Sequence, residues 1–381
     1  MNRKNVIIII IDGGRLDNAL RSHIFNNLKS NSIFFSQSIT YSPHTIAAMH
    51  AVFSGAYGTR TGTNSYWSTF KFKKDKFKTL TEYLKDHNYY TYADVINVLV
   101  VPKQGFDNYT VHDELKDDLT IRHTKILRNM SLKSQDGQNF FLYLHYSNIH
   151  TGIMNEVLKV YDNFSKEFYD NRKANEKRYD KLFHSAEIYL EKILDEINKL
   201  HLDKNSLILV MSDHGISVGE KFGERAYGAF CYDYTLKTFT YFMADNLNSK
   251  EIPFQIQTVD FMPTILDYLK IPLDTNFEPL DGRSLLPMIN NEEISEEPAY
   301  SETGNPLNKK EPPKEPNTHS IRTSKWKLIY NAYNDTKELY DLENDPHENR
   351  NLTGKEIQIE SELWEKLIYK KQGSVNSSLN V

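Results

Sequence analysis

The chain has 381 residues, more than one domain usually holds, so its length favours a large α/β domain with an appended subdomain, or two domains, over a compact bundle. The balance of 46 Lys+Arg against 51 Asp+Glu, a net −5, excludes a global basic surface of the kind that grips nucleic acid through its phosphates. Hydrophobic residues at 39% can fill a substantial core, and the lone Cys231 excludes an intramolecular disulfide.

The first apolar run, Val6 to Ile11, is too short for a membrane span and ends in Asp12-Gly13-Gly14-Arg15 with no small-residue cleavage site. It predicts a buried parallel strand. No apolar run approaches 18 residues, so no membrane insertion is expected, and the cytoplasm is the expected location. Next, Ser42-Pro-His-Thr45 precedes a helical apolar spacing that ends at Gly55, which places Thr45 at an N-cap and Gly55 at the left-handed stop. A helix over Lys78–His87 and a strand over Tyr89–Val95 follow, then a strand over Phe140–Tyr146 and a helix over Tyr179–Leu200. Ser206–Met211 and Thr238–Met243 read as strands and Val259–Leu269 as a helix. Beyond Asn291 the texture changes to a proline-rich stretch, Lys309 to Pro316, a hairpin of Ser320–Asn331 with Lys337–Leu342, and a helix near Lys355–Tyr369. Strands alternating with helices predict an α/β fold, a mostly parallel sheet sandwiched by helices over residues 1–290, with a small C-terminal α+β subdomain over 291–381. The pattern says nothing of the oligomeric state.

Two strands share one design. Val6 to Ile11 delivers Asp12, and Leu207 to Met211 delivers Ser212-Asp213-His214-Gly215. Open parallel sheets bind ligands at that carboxyl edge, and two acids with an imidazole suit a divalent cation. Either acid alone would read as a cap or turn residue. The helix predicted from Thr45 would present free N–H groups to an anion beside such a cation, although capping by itself also accounts for a threonine there.

These residues, with others in the same order, resemble the sulfatase branch of the alkaline-phosphatase superfamily. The resemblance rests on Ile-Ile-Asp12-Gly-Gly-Arg15, on Thr45 followed by Gly55 and Tyr57-Gly-Thr-Arg60-Thr-Gly62, on a strand expected to end in His150, and on Ser212-Asp213-His214-Gly215. It continues through Val259-Asp260-Phe-Met-Pro-Thr-Ile-Leu266, Leu280-Asp-Gly-Arg-Ser-Leu-Leu286, Ile321 to Ile329 and Glu338 to Pro346. Sulfatases of this branch carry Cys-x-Pro-Ser-Arg, whose Cys becomes a formylglycine; this chain has Thr45-Ile-Ala47-Ala48-Met49. The superfamily's phosphatases, phosphodiesterases and phosphotransferases use an unmodified Thr or Ser at that place. The resemblance therefore implies a hydrolase or transferase of a small-molecule or glycan-linked phosphoric ester, acting through a phospho-threonine. A sulfuric ester hydrolase without formylglycine and an inactive binding module are the alternatives.

By the same resemblance, Asp12, Asp213, His214 and the Thr45 hydroxyl would hold one divalent metal, whether Mn, Zn, Mg or Ca. Thr45 would attack and His150 would protonate the leaving group. His50 is a candidate for binding the transferred oxygens, and Arg60 for orienting them or for bracing its loop against acids. Gly13 replaces a second Asp of many family members, and the family's downstream Lys has no counterpart in register, leaving Lys221 or Arg225 to substitute in charge. A second metal has a candidate pair in Asp180 and His184, at helical spacing, with His319 as a third ligand.

Overall fold

The computed structural model describes residues 4–155, 159–161, 164–292, 294–306 and 313–373. It forms two compact units interleaved along the chain, Met1–Ser36 with Thr79–Ala226 and Thr238–Pro253, and Gln37–Lys78 with Tyr227–Lys237 and Phe254–Val381.

The first unit is built on a large sheet whose strands are β1 (Asn5–Ile11), β2 (Ile33–Ile39), β3 (Tyr90–Val95), β4 (Asn108–Val111), β5 (Phe140–Tyr146), β6 (Ser206–Met211), β7 (Lys237–Met243) and β8 (Lys250–Gln257). β2 and β8 begin in this unit and run out of it. The order across the sheet is β4-β3-β5-β1-β6-β7-β2-β8. β4, β3, β5, β1 and β6 run parallel, and β7 is antiparallel to β6. β1, β5 and β6 are buried along their whole length, which is why each reads as a continuous apolar run rather than as an alternation. Helices Leu119–Gln135 and Arg172–Lys199 bury Ile126, Leu127 and Met130 on one and Tyr189, Leu190 and Ile193 on the other.

The helix Arg172–Lys199 starts seven residues before the expected Tyr179, because its first two turns are mostly charged and leave no apolar stripe to read. Helix Leu119–Gln135 and strands β2, β4 and β8 have no counterpart in the sequence reading. β8 carries Pro253, which a strand tolerates at a sheet edge, where β8 lies.

The second unit carries an antiparallel sheet of β9 (Ala299–Thr303), β10 (Thr318–Arg322), β11 (Trp326–Asn331) and β12 (Thr336–Asp341), in the order β12-β11-β10-β9. The expected strand over Ser320–Asn331 is thus two strands, turned at Thr323, whose hydroxyl accepts from the Trp326 N–H at 2.9 Å. Ile321, Leu328 and Leu339 of the sheet pack with Leu363 and Leu367 of the helix Ile357–Lys371. Residues 307–312, which include the start of the proline-rich stretch, lie outside the described residues.

On β11 the Lys327 ammonium is completely buried, 2.9 Å from Asp233 and 2.8 Å from Glu348. Burial works against this ammonium, but the two carboxylates outweigh it and hold its pKa above the ordinary lysine value. Lys327→Met keeps the stem and strands the buried Glu348, while Asp233 keeps the Arg322 guanidinium at 3.0 Å, so it is expected to cost roughly 3 kcal/mol of stability. Denaturant unfolding measures this; an unchanged midpoint would show the triad to be energetically idle.

Candidate metal centre and active site

At the carboxyl edge of the parallel strands, β1 ends before Asp12 and β6 before Ser212-Asp213-His214. The parallel pairing of β1 with β6 sets Ile10 beside Met211, which brings the two acids to one place. Asp12, Asp213 and His214 are all buried, and one ligand atom from each lies within 4.8 Å of the others. His214 Nδ1 is 2.8 Å from the Gly215 carbonyl, which can only accept, so Nδ1 carries the proton. In the neutral ring the lone pair is then on Nε2, which faces Asp213 Oδ2 at 3.5 Å and Asp12 Oδ1 at 3.7 Å. Two anionic oxygens and a lone pair converge on one buried point, a donor set that fits a divalent cation.

The remaining oxygens are held by the protein. Asp213 Oδ1 accepts from the Gly13 N–H at 3.1 Å and the His214 N–H at 2.9 Å. Asp12 Oδ2 is 2.9 Å from His145 Nε2, and Asp12 Oδ1 is 3.8 Å from His150 Nδ1. Burial pushes the Asp12 carboxyl up, but His150, His145 and His214 together reverse this and hold it well below the usual carboxylate range. The buried Tyr143 hydroxyl, 3.3 Å from His145 Nδ1, is pushed far up by burial and then by the charge of Asp213, so it stays protonated.

Gly13 occupies the left-handed region at φ 72°, and a Cβ there would lie 2.9 Å from Ile216 Cγ1. Gly13→Ala is expected to lower stability by about 1–2 kcal/mol and to weaken metal binding, because the turn that carries the Gly13 N–H to Asp213 must shift. A melt paired with a metal titration checks this, and unchanged affinity would remove the positioning role.

His150 lies not at the strand's end, as expected, but on the short helix Asn148–Ile153 after β5 stops at Tyr146, and it keeps 23% of its side chain exposed, which suits a group that meets a substrate. His145 is absent from the sequence reading. Its only trace there is a histidine inside an otherwise apolar, fully buried strand. Lys221 and Arg225 lie on the loop after β6, where the Glu224 N–H bonds the Lys221 carbonyl and the Arg225 N–H bonds Glu224 Oε1.

The expected second-metal pair does not join this cluster. Asp180 and His184 are largely exposed on helix Arg172–Lys199, Asp180 accepting from Asn18 at 2.8 Å and His184 lying 2.8 Å from Glu187. An i, i+4 pair on a solvent face gives the same spacing as a ligand pair. His319 is built into the C-terminal sheet of the second unit, 3.1 Å from both Glu302 and the Tyr300 hydroxyl.

The other candidates belong to the second unit. Thr45 is the first residue of the helix Thr45–Ser54, and the extended His44, at φ −147° and ψ 145°, takes the N-cap place expected of Thr45. Gly55 ends that helix at φ 63°, as its sequence position predicts. His50 is buried on the helix, its ring edge-on to Phe72. The Arg60 guanidinium is buried over the Phe77 ring and donates to Asp281 at 3.1 Å and to the Pro279 carbonyl at 2.7 Å.

The sulfatase family model matches residues 4–271, and the model described as N-sulphoglucosamine sulphohydrolase, C-terminal, matches residues 230–373. Rat (Rattus norvegicus) arylsulfatase K is 29% identical over 171 residues, covering 43% of this chain and 29% of its own length. A choline-sulfatase from Rhizobium meliloti (strain 1021) is 28% identical over 206 residues, covering 48% and 35%. These matches span about a third of the length of those relatives. Among solved structures, the phosphonate monoester hydrolase from Silicibacter pomeroyi superposes with a TM-score of 0.77 at 15% identity, covering 99% of this chain and 97% of its own, and shares the fold. With a family model covering well over half of its length, this chain belongs to the sulfatase family.

Proposed function

We propose that the chain is a metal-dependent hydrolase of sulfuric or phosphoric esters. The observation that carries this reading is the convergence of Asp12, Asp213 and His214 Nε2 on one buried point at the carboxyl edge of the sheet. A divalent cation bound there supplies positive charge that polarises the ester and lowers the pKa of an attacking hydroxyl. The protein's own contribution is positional. The Gly13 and His214 N–H groups aim Asp213, His145 fixes Asp12, and the Gly215 carbonyl sets the His214 tautomer. Thr45, in the family's register, is the proposed nucleophile, and His150 the proposed donor of a proton to the leaving oxygen. The buried pairing of Arg60 with Asp281 supports bracing rather than substrate contact.

Between the two ester classes, family membership and the curated relatives back sulfuric esters ahead of the phosphoric esters that Thr45 favours. The phosphoric reading stands second on one observation, the threonine at position 45. A panel of one aryl alcohol presented as sulfate, phosphate, phosphate diester and phosphonate decides. The sulfuric reading expects the sulfate to show the highest kcat/KM with many turnovers. Release of the aryl alcohol from its sulfate that stops at one equivalent, while a phosphate ester continues, would replace it with the phosphoric reading.

A further inference from the structure

The first unit holds a second group of buried donors, outside the one described above. Asp94 lies on β3, His112 directly follows β4, and His123 is on the helix Leu119–Gln135. One donor atom from each lies within 4.8 Å of the others, and all three side chains are wholly buried. Asp94 Oδ1 is 2.6 Å from His112 Nδ1 and 3.6 Å from His123 Nε2. That separation is beyond hydrogen-bond length, and the buried Nε2 has no hydrogen-bond partner among the described residues.

The far side of each residue is already fixed. His112 Nε2 meets Ser147 Oγ at 2.9 Å, and His123 Nδ1 meets the Tyr189 hydroxyl at 2.6 Å. Asp94 Oδ2 accepts from Arg122 Nε at 2.6 Å and from Thr110 Oγ1 at 3.0 Å. Metal-binding histidines give one nitrogen to the ion and the other N–H to such an outer acceptor, and ligating carboxylates are hydrogen-bonded in turn. We propose that Asp94, His112 and His123 form a second divalent-metal site, of a two-histidine, one-carboxylate type suited to zinc, separate from Asp12, Asp213 and His214. Zinc bonds of about 2.0–2.2 Å set tetrahedral donors about 3.3 Å apart, so the contact between His112 Nδ1 and Asp94 Oδ1 opens slightly on loading and the Asp94–His123 distance barely changes. Ligation also gives His123 Nε2 the partner it lacks. The site lies one imidazole away from the first: the His112 ring packs edge-on at 6.4 Å from His145, whose Nε2 meets Asp12.

The test uses the full chain carrying Asp213→Asn, which silences the first site. Zinc titrated into it by equilibrium dialysis is expected to bind one equivalent, and cobalt to give the intense visible bands of low-coordinate nitrogen and oxygen ligation. Adding His123→Gln is expected to remove both, with the far-ultraviolet circular dichroism unchanged. If His123→Gln does not fold, His112→Asn is read the same way. A folded double variant that keeps the equivalent overturns the proposal, as does an Asp213→Asn chain that binds no zinc or holds only weakly absorbing six-coordinate cobalt. A wild-type chain that binds a single equivalent, indifferent to Asp213→Asn and lost on His123→Gln, would sink the first site while leaving the second standing.

Discussion

Asp213→Asn is expected to reduce ester turnover by on the order of a thousandfold or more while leaving the fold in place. The asparagine oxygen can still accept from the Gly13 and His214 N–H groups, so the turn after β6 keeps its shape. What is lost is one negative charge and one ligand oxygen of three donor atoms crowded within 4.8 Å. A cation bound only to the native state stabilises it in proportion to its binding, so added divalent metal should raise the melting temperature of the wild type. Most of that rise should vanish in Asp213→Asn and in His214→Ala. Metal analysis, thermal melts and initial rates on one preparation check all three consequences. A variant that keeps both its metal and its rate would show that the cluster is not the reaction centre.

Thr45→Ala is expected to lower kcat by on the order of 10,000- to 1,000,000-fold, since a missing nucleophile leaves only binding and electrostatic effects. Stability should change little, since His44 rather than Thr45 holds the cap position. Thr45→Ser should keep part of the activity. The ester class leaves its own kinetic mark. Attack by the Thr45 hydroxyl on an aryl sulfate forms a threonine sulfate and releases the phenol. With no second hydroxyl on that carbon, the sulfate departs only when water attacks sulfur. A burst of one equivalent of phenol ahead of a slower steady rate is therefore the expected trace with aryl sulfate. Product formed without a burst, and undiminished in Thr45→Ala, would remove Thr45 from the reaction.

The sequence shows the centre of the sheet and hides its margins, for physical reasons. β1, β5 and β6 are buried on both faces, and burial leaves an unbroken apolar run that is plain to read. β4 has four residues and β8 contains Pro253, features that edge strands allow and that erase the pattern. In the site, Asp12, Asp213 and His214 were legible because each stands directly after such a run. His145 was not, because it points inward from the run itself. The Asp94, His112 and His123 group was hidden for another reason. Its members come from a strand, a loop and a helix, and only the fold brings them together. The Asp180 and His184 pair shows the converse, since correct ligand spacing on an exposed helix carries no information about what faces it.

The central place of β1 has a consequence for how the chain is made. Val6 to Ile11 pairs with Phe141 to Tyr146 on one side and with Leu207 to Met211 on the other, so its neighbours lie more than a hundred residues downstream. On a ribosome, this apolar segment emerges before either of its flanks and waits for both. Such distant parallel pairing closes slowly, and a short, uncharged, β-branched run left open meanwhile is a template for contact with other chains. The nascent protein should therefore lean on chaperones until β6 has left the ribosome, and its yield should respond more to translation speed than to changes in final stability.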